Sequence, residues 1–190
     1  MSLESSDITR LVRSWAGGDE KALDQIVPIL YDRLRQLAHE RLRSEADGVS
    51  LNTTELVHEA YLKLADTRNP NLQHRSHFLA LASRVMRNLL VDRARARLTR
   101  KRGSGQIPLE WADLPIPDAK LDVVMELDEA LQRLEMLHQR QSQILEQRYF
   151  GGLSLEETAE ALGVSLATVK RELRSARAWL ALELRAEPSL

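Results

Sequence analysis

The 190-residue chain contains no cysteine. That removes disulfides, thiol nucleophiles and thiolate zinc sites together, and it fits a reducing cytoplasm. Aromatic residues are scarce at 4%, and there are only 8 glycines and 6 prolines, so the β-branched and aromatic alternation of a sheet protein is missing. No run of about 18 apolar residues occurs, so no segment is expected to span a membrane. The opening Met1-Ser-Leu-Glu-Ser-Ser-Asp lacks the basic and apolar regions of a signal peptide. Also lacking are a nucleophile–base pair, a phosphate-cradling glycine loop and a metal-ligand cluster. The sequence therefore predicts neither an enzyme nor a cofactor nor a bound metal.

What remains is 43% hydrophobic and rich in Leu, Ala, Glu and Arg, a mixture that predicts an all-α fold. Its most informative stretch runs from Leu155 to Trp179. Leu155, Thr158, Ala159 and Leu162 fall at the i, i+3, i+4, i+7 spacing of one helix face. Gly163 can make a sharp turn and Ser165 can cap a following helix. That helix has an apolar stripe at Leu166, Val169, Leu173, Ala176 and Leu180. The opposite face holds Ala167, Thr168, Arg171, Arg174 and Ser175, flanked by Lys170 and Arg177. A short helix, a glycine turn and a second helix with an outward basic face is the pattern of a helix-turn-helix that enters a DNA major groove. An ordinary helical hairpin with a solvated basic face is the plainer alternative, and the joint fit of turn, cap and stripes favours DNA.

Net charge is −1, yet its distribution is uneven. Between Arg84 and Arg102 lie eight Arg or Lys against one acid, Asp92, while acids gather around 110–135 and 156–160. Such a basic run calls for a polyanion. Residues 103–122 hold three of the six prolines and break every periodicity, which predicts a flexible linker. It divides residues 1–102 from 123–190. The first part reads as four helices: one with Ile8, Leu11, Val12 and Trp15, ending at Gly17-Gly18; one from near Asp19 with Leu23, Ile26, Val27, Leu30, Leu34 and Leu37, kinked or broken at Pro28; one after Asn52-Thr53-Thr54 with Leu56, Val57, Ala60, Tyr61 and Leu64; and one from near Ser76 with Phe78, Leu79, Ala82, Val85, Met86 and Leu89. The second part adds a helix with Leu127, Ala130, Leu131, Leu134 and Leu137, and a shorter one with Ile144, Leu145 and Tyr149, ahead of the helix-turn-helix.

Two stretches carry a resemblance to a known family. One is Gln143-Ile-Leu-Glu-Gln-Arg-Tyr-Phe-Gly-Gly-Leu-Ser-Leu-Glu-Glu-Thr-Ala-Glu-Ala-Leu-Gly-Val-Ser and onward to Leu173. The other is Glu55-Leu-Val-His-Glu-Ala-Tyr-Leu-Lys-Leu, followed by Phe78 to Arg97. They resemble regions four and two of bacterial extracytoplasmic-function sigma factors, the small two-domain branch of the sigma family. The resemblance covers residues 19–102 and 123–184. It implies a region-two-like four-helix domain over 1–102, a linker over 103–122 and a region-four-like domain over 123–190. It implies core RNA polymerase and promoter DNA as partners, and promoter recognition and melting as the function. By the same resemblance Thr168, Lys170, Arg171, Arg174 and Arg177 contact the minus-thirty-five element. Arg84, Arg87, Asn88, Arg93, Arg95 and Arg97 lie along the minus-ten element, and loop 68–77 captures a flipped base. Helix 55–66 offers Glu55, Glu59, Leu62, Lys63 and Asp66 to the polymerase.

Two departures from the family pattern stand out. Where most relatives carry acids ahead of the polymerase-facing helix, this chain has Ser50-Leu-Asn-Thr-Thr-Glu, with one acid. Thr53 and Thr54 are then either plain helix caps or a switch, in which a serine/threonine kinase adds a phosphate of −1.5 to −2 charge at a helix N-terminus. Phe78 is the lone aromatic in the melting zone. Plainer readings cover the other candidates: His74 and His77 as solvated loop histidines, Glu156, Glu157 and Glu160 as charges near a helix N-terminus, Trp179 as core, and Trp111 docked on a domain or a partner. The rival function is a helix-turn-helix regulator that acts without the polymerase core. A recombinase accessory protein is disfavoured for want of a strand-cleaving triad, and an anti-sigma factor by the two basic surfaces.

Overall fold

The computed structural model describes residues 5–28, 49–67, 70–101 and 118–186, and among these every regular element is helical. α1 (Ser5–Ala16) buries Ile8, Val12 and Trp15 and ends where expected. The amide of Gly17 donates to the Arg13 carbonyl, and Gly18 takes φ 103°, a conformation in which a side chain would be strained. Asp19 then starts α2, described over 20–28. Its carboxylate accepts the Lys21 amide at 3.2 Å and the Ser14 hydroxyl at 2.9 Å, and Ala22, Leu23 and Ile26 are buried. Pro28 is still helical; Leu30, Leu34 and Leu37 lie outside the described residues.

α3 (Val49–Ala65) begins earlier than the sequence suggested. Neither glycine nor proline stands between Val49 and Ala65, so nothing local delays the helix. Thr53 and Thr54 consequently lie in its second turn, past the free amides of the first, and the cap reading of these residues is corrected. The Tyr61 hydroxyl donates to Asp24 at 2.6 Å, tying α3 to α2. This carboxylate hydrogen bond holds the phenol pKa above its ordinary value.

α4 (Arg75–Lys101) is the spine of the molecule. Only one stripe was expected, but Phe78, Leu79, Ala82, Ser83, Val85, Met86, Arg87, Leu89, Leu90, Val91, Arg93 and Ala94 are all buried. A helix covered nearly all round must have neighbours on opposite sides. α1 and α3 pack against it on one side and the C-terminal helices on the other. Trp15 meets Phe78 edge-to-face at 5.6 Å. Phe78 is thus fully enclosed core, as its place in the apolar stripe predicts, and the lone aromatic of this stretch has no exposed face.

α5 (Asp118–Tyr149) is two helices joined at a kink, as the two apolar stripes predicted. His138 has φ −146° and ψ 75°, and across the bend the Ser142 hydroxyl donates to the Leu131 carbonyl at 2.9 Å. The helix starts directly after Pro117, so the last five residues of the expected linker are helical, no breaker occurring beyond that proline. Linker residues 103–117, Trp111 among them, lie outside the described residues. α6 (Leu155–Leu162) and α7 (Leu166–Ala186) complete the chain. One buried apolar cluster runs from Ile8 through α4 to Leu180.

Candidate nucleic-acid interface

The α6–α7 pair is built by local rules at each joint. The Ser154 hydroxyl accepts the Glu157 amide at 3.1 Å while the Glu157 carboxylate accepts the Ser154 amide at 2.9 Å, a reciprocal capping box. This Ser-x-x-Glu signature was legible in the sequence and went unread. The neighbouring Glu156 has its carboxyl pKa lowered, first by its own backbone amide and then by the Ser154 side chain, consistent with the helix-terminus reading. Gly163 ends α6 at φ 62°, its amide reaching the Ala159 and Glu160 carbonyls. Ser165 then caps α7, accepting the Thr168 amide at 3.1 Å.

Val169, Leu173, Ala176 and Leu180 are buried, and Leu166 is half-buried. The stripe therefore faces inward as predicted. Lys170, Arg171, Arg174 and Arg177 are exposed on the other side. Thr168 is half-buried, with its hydroxyl 2.9 Å from that of Ser165. Glu172, half-buried, accepts the Gln141 side-chain amide of α5 at 2.9 Å. Four exposed cations, of which Arg171 lies 3.9 Å from Glu172, form a surface suited to phosphates and to guanine edges.

The second basic set, on α4, is divided. Arg84, Asn88 and Arg95 are exposed. They share a cleft of roughly 420 Å³ with Lys63, Gln132, Glu135 and Glu146. Arg87, in contrast, is only 6% exposed. Its Nε donates to Asp128 Oδ1 at 2.8 Å, its Nη2 to the Asp128 carbonyl at 3.2 Å and its Nη1 to Glu146 Oε2 at 2.7 Å. Asp128 is itself buried and also receives the Gln132 amide at 2.7 Å and Arg95 at 3.5 Å. Arg93 is buried beside Glu59 of α3 at 3.0 Å. The side chain of Arg97 lies outside the described residues. Of the six α4 residues named from the resemblance, the structure brings three to an open surface and encloses two.

The loop expected to capture a base is tied into the chain at several points, while Pro70, Asn71 and Gln73 are exposed. Leu72 is buried, the Gln73 carbonyl accepts Arg13 Nε at 2.8 Å, and its amide donates to His77 Nδ1 at 3.1 Å. Arg75 pairs with Glu157 of α6 at 2.7 Å, and His74 stands 3.8 Å from Glu160. His74 and His77 pack edge-to-face at 5.3 Å. No cluster of three or more metal-ligating side chains occurs among the described residues. On α3, the helix expected to face the polymerase, Leu62, Lys63 and Asp66 are exposed, Lys63 lies 3.7 Å from Asp92, and Glu59 is engaged with Arg93. The side chains of Glu55, Thr53 and Thr54 lie outside the described residues.

Sequence reasoning missed the acidic partners of Arg75 and Arg87. Asp128, Glu146 and Glu157 are separated from their arginines by 41, 59 and 82 positions. Uneven charge was the only available signal: a basic run on one side of the linker and acids on the other.

Comparison with known proteins agrees with this architecture. The family profile described as ECF sigma factor matches residues 5–186. The ECF RNA polymerase sigma factor SigK of Mycobacterium tuberculosis is 27% identical to this chain over 175 residues, or 90% of each protein, and so is SigK of Mycobacterium bovis.

Proposed function

The chain belongs to the ECF sigma factor family, and on that premise we propose how an alternative sigma factor of this sequence directs RNA polymerase in transcription initiation. Region four is residues 123–190, and its α7 reads the minus-thirty-five element through Thr168, Lys170, Arg171, Arg174 and Arg177. Region two is residues 1–102. Its α4 runs along the minus-ten element with Arg84, Arg87, Asn88, Arg95 and Arg97, its α3 offers Glu55, Leu62, Lys63 and Asp66 to core polymerase, and buried Arg93, paired with Glu59, joins the two helices. The observation that carries the reading is the exposed basic face of α7 opposite its buried stripe.

The physical division of labour follows from charge. Arginine pairing bidentately with guanine supplies roughly 1–3 kcal/mol of discrimination per contact. The remaining cations hold phosphates and set register, and their contribution falls as salt rises. The chain acts where RNA polymerase is, in the cytoplasm; no described helix is long and apolar enough to cross a membrane.

Control at Thr54, or at Thr53, belongs to the same reading. A phosphate in the second turn of α3 adds negative charge to a segment with one acid. It acts through the charge of the polymerase-facing helix and not through capping, since the helix begins at Val49. A serine/threonine kinase is then the upstream partner.

Run-off transcription with purified core polymerase tests the function. Transcripts that start at a defined promoter only when this chain is added are the expected result. Sequence-specific binding to duplex promoter DNA by the chain alone, with no transcription from added core, would indicate a free-standing helix-turn-helix regulator and overturn the proposal.

A further inference from the structure

The two halves of the chain meet along α4, and the manner of meeting has a functional consequence. We propose that the protein closes on itself: carboxylates of α5 and the α5–α6 corner occupy the α4 surface that reads the minus-ten element, so promoter engagement requires this clasp to open. The proposal rests on the assignment of α4 to minus-ten DNA.

Three observations support it, each between α4 or the loop before it and the C-terminal helices. The first is the Arg87 site. Its guanidinium is clasped by Asp128 and Glu146 at 2.8 and 2.7 Å, and the Asp128 carbonyl takes a third N–H. Charge-assisted bonds of this length are what a DNA phosphate would offer the same fork. The two carboxylates stand in for phosphates. Arg87 keeps an anionic partner in both states, while Asp128 and Glu146 regain water on opening. Neither state strands the cation without a partner, the condition that makes a buried charge costly.

The second is Gly151, in the corner between α5 and α6. A Cβ there would lie 2.8 Å from the Ser83 Cβ of α4 and closer still to its hydroxyl, and 2.6 Å from the movable end of the Leu153 side chain. Ser83 is fixed, its hydroxyl donating to the Leu79 carbonyl at 2.7 Å. Gly151 has no positive φ, so its backbone does not require glycine. The requirement comes from α4 lying against the corner. The third is Arg75 with Glu157, at 2.7 Å, which sets the first turn of α6 over the base-capture loop. Glu157 thereby serves both the capping box and the clasp. Among the described residues a cleft of roughly 420 Å³ lies beside α4. It suits a small molecule and not a length of DNA, whose major groove alone is about 12 Å wide.

A clasp that leaves about one molecule in ten open weakens apparent binding about tenfold, because the dissociation constant is divided by the competent fraction. The test uses the full chain. X-ray scattering reports closure, and a fluorescein-labelled mixed-sequence single-stranded DNA reports access to α4. Gly151→Val wedges the corner from α4 without altering any charge. Asp128→Asn combined with Glu146→Gln removes the anions without altering shape. Thermal unfolding verifies that each variant is folded, so one variant can stand in if the other fails to fold.

The wild type is expected near the radius of gyration of about 16 Å of a compact chain this long. Both variants are expected to expand and to bind the oligonucleotide about tenfold more tightly, a gain abolished when Arg84→Ala and Asn88→Ala are added. An extended wild type overturns the closed state. Expansion without tighter binding overturns occlusion of α4. Variants that stay compact with unchanged binding overturn the role of these contacts. Failure of the sigma reading is distinguishable: open variants would gain DNA binding yet give no run-off transcript with core polymerase.

Discussion

Two glycines of the C-terminal half make the same substitution to alanine fail for different reasons. At Gly163 the backbone sits at φ 62°, and a Cβ built there meets nothing within 4 Å. The whole cost of Gly163→Ala is therefore conformational. A non-glycine residue in the left-handed region costs about 1–2 kcal/mol, and tertiary packing adds nothing to it. The small entropic gain from stiffening the unfolded chain, roughly 0.4–1 kcal/mol, offsets part. A net loss of about 1 kcal/mol should appear in urea unfolding, or as a fall in Tm of about 2–4 °C for a chain of this size. Gly163→Asn should lose less, because asparagine tolerates this region better than alanine. Alanine at Gly163 should leave closure of the molecule untouched, whereas at Gly151 it should disturb closure, since there the obstacle is α4. A loss above about 3 kcal/mol at Gly163, or asparagine faring worse than alanine, would refute the argument. Either outcome would mean that the turn is held by contacts and not by its φ.

Other expectations follow from the same geometry. Arg174→Ala should reduce run-off transcription from a cognate promoter by about tenfold, within the roughly 1–3 kcal/mol of a base contact, with Tm unchanged because the side chain is exposed. Ser154→Ala removes both the acceptor and the reciprocal geometry of the capping box, and thermal unfolding should record a loss of about 1 kcal/mol. Asp128→Ala leaves Arg87 with Glu146 as its one carboxylate, and urea unfolding should show a cost of about 1 kcal/mol, below the range for a pair that cannot escape burial, because opening of the clasp, populated in about one molecule in ten, relieves the loss; a cost near zero would mean that the pair is not formed in solution. Core polymerase binding should strengthen when Thr54 is phosphorylated, and equal tight binding by treated protein, untreated protein and Thr54→Ala would exclude the switch.

Legibility of the molecule in its sequence followed the range of the interactions. The α6–α7 unit was readable residue by residue because each determinant acts within four positions: Gly163 for the turn, Ser165 for the cap, Val169 to Leu180 for the buried stripe. The same holds for the stop of α1 at Gly17-Gly18 and for the bend in α5 between the stripes of Leu134 and Ile144. Reading failed where a residue's role depends on what lies opposite it. Arg87 and Arg93 sit in a basic run that, taken alone, predicts a polyanion for every member. The run is in fact shared between anions of the chain itself and an outer row at Arg84, Asn88 and Arg95. Helical periodicity separates the two sets once α4 is taken as a helix with two buried sides: Arg87 falls beside Ser83, Leu90 and Ala94, all buried, while Arg84, Asn88 and Arg95 fall on the remaining strip. A charge run thus identifies a helix that needs anions, and the burial pattern along that helix decides which anions each cation meets.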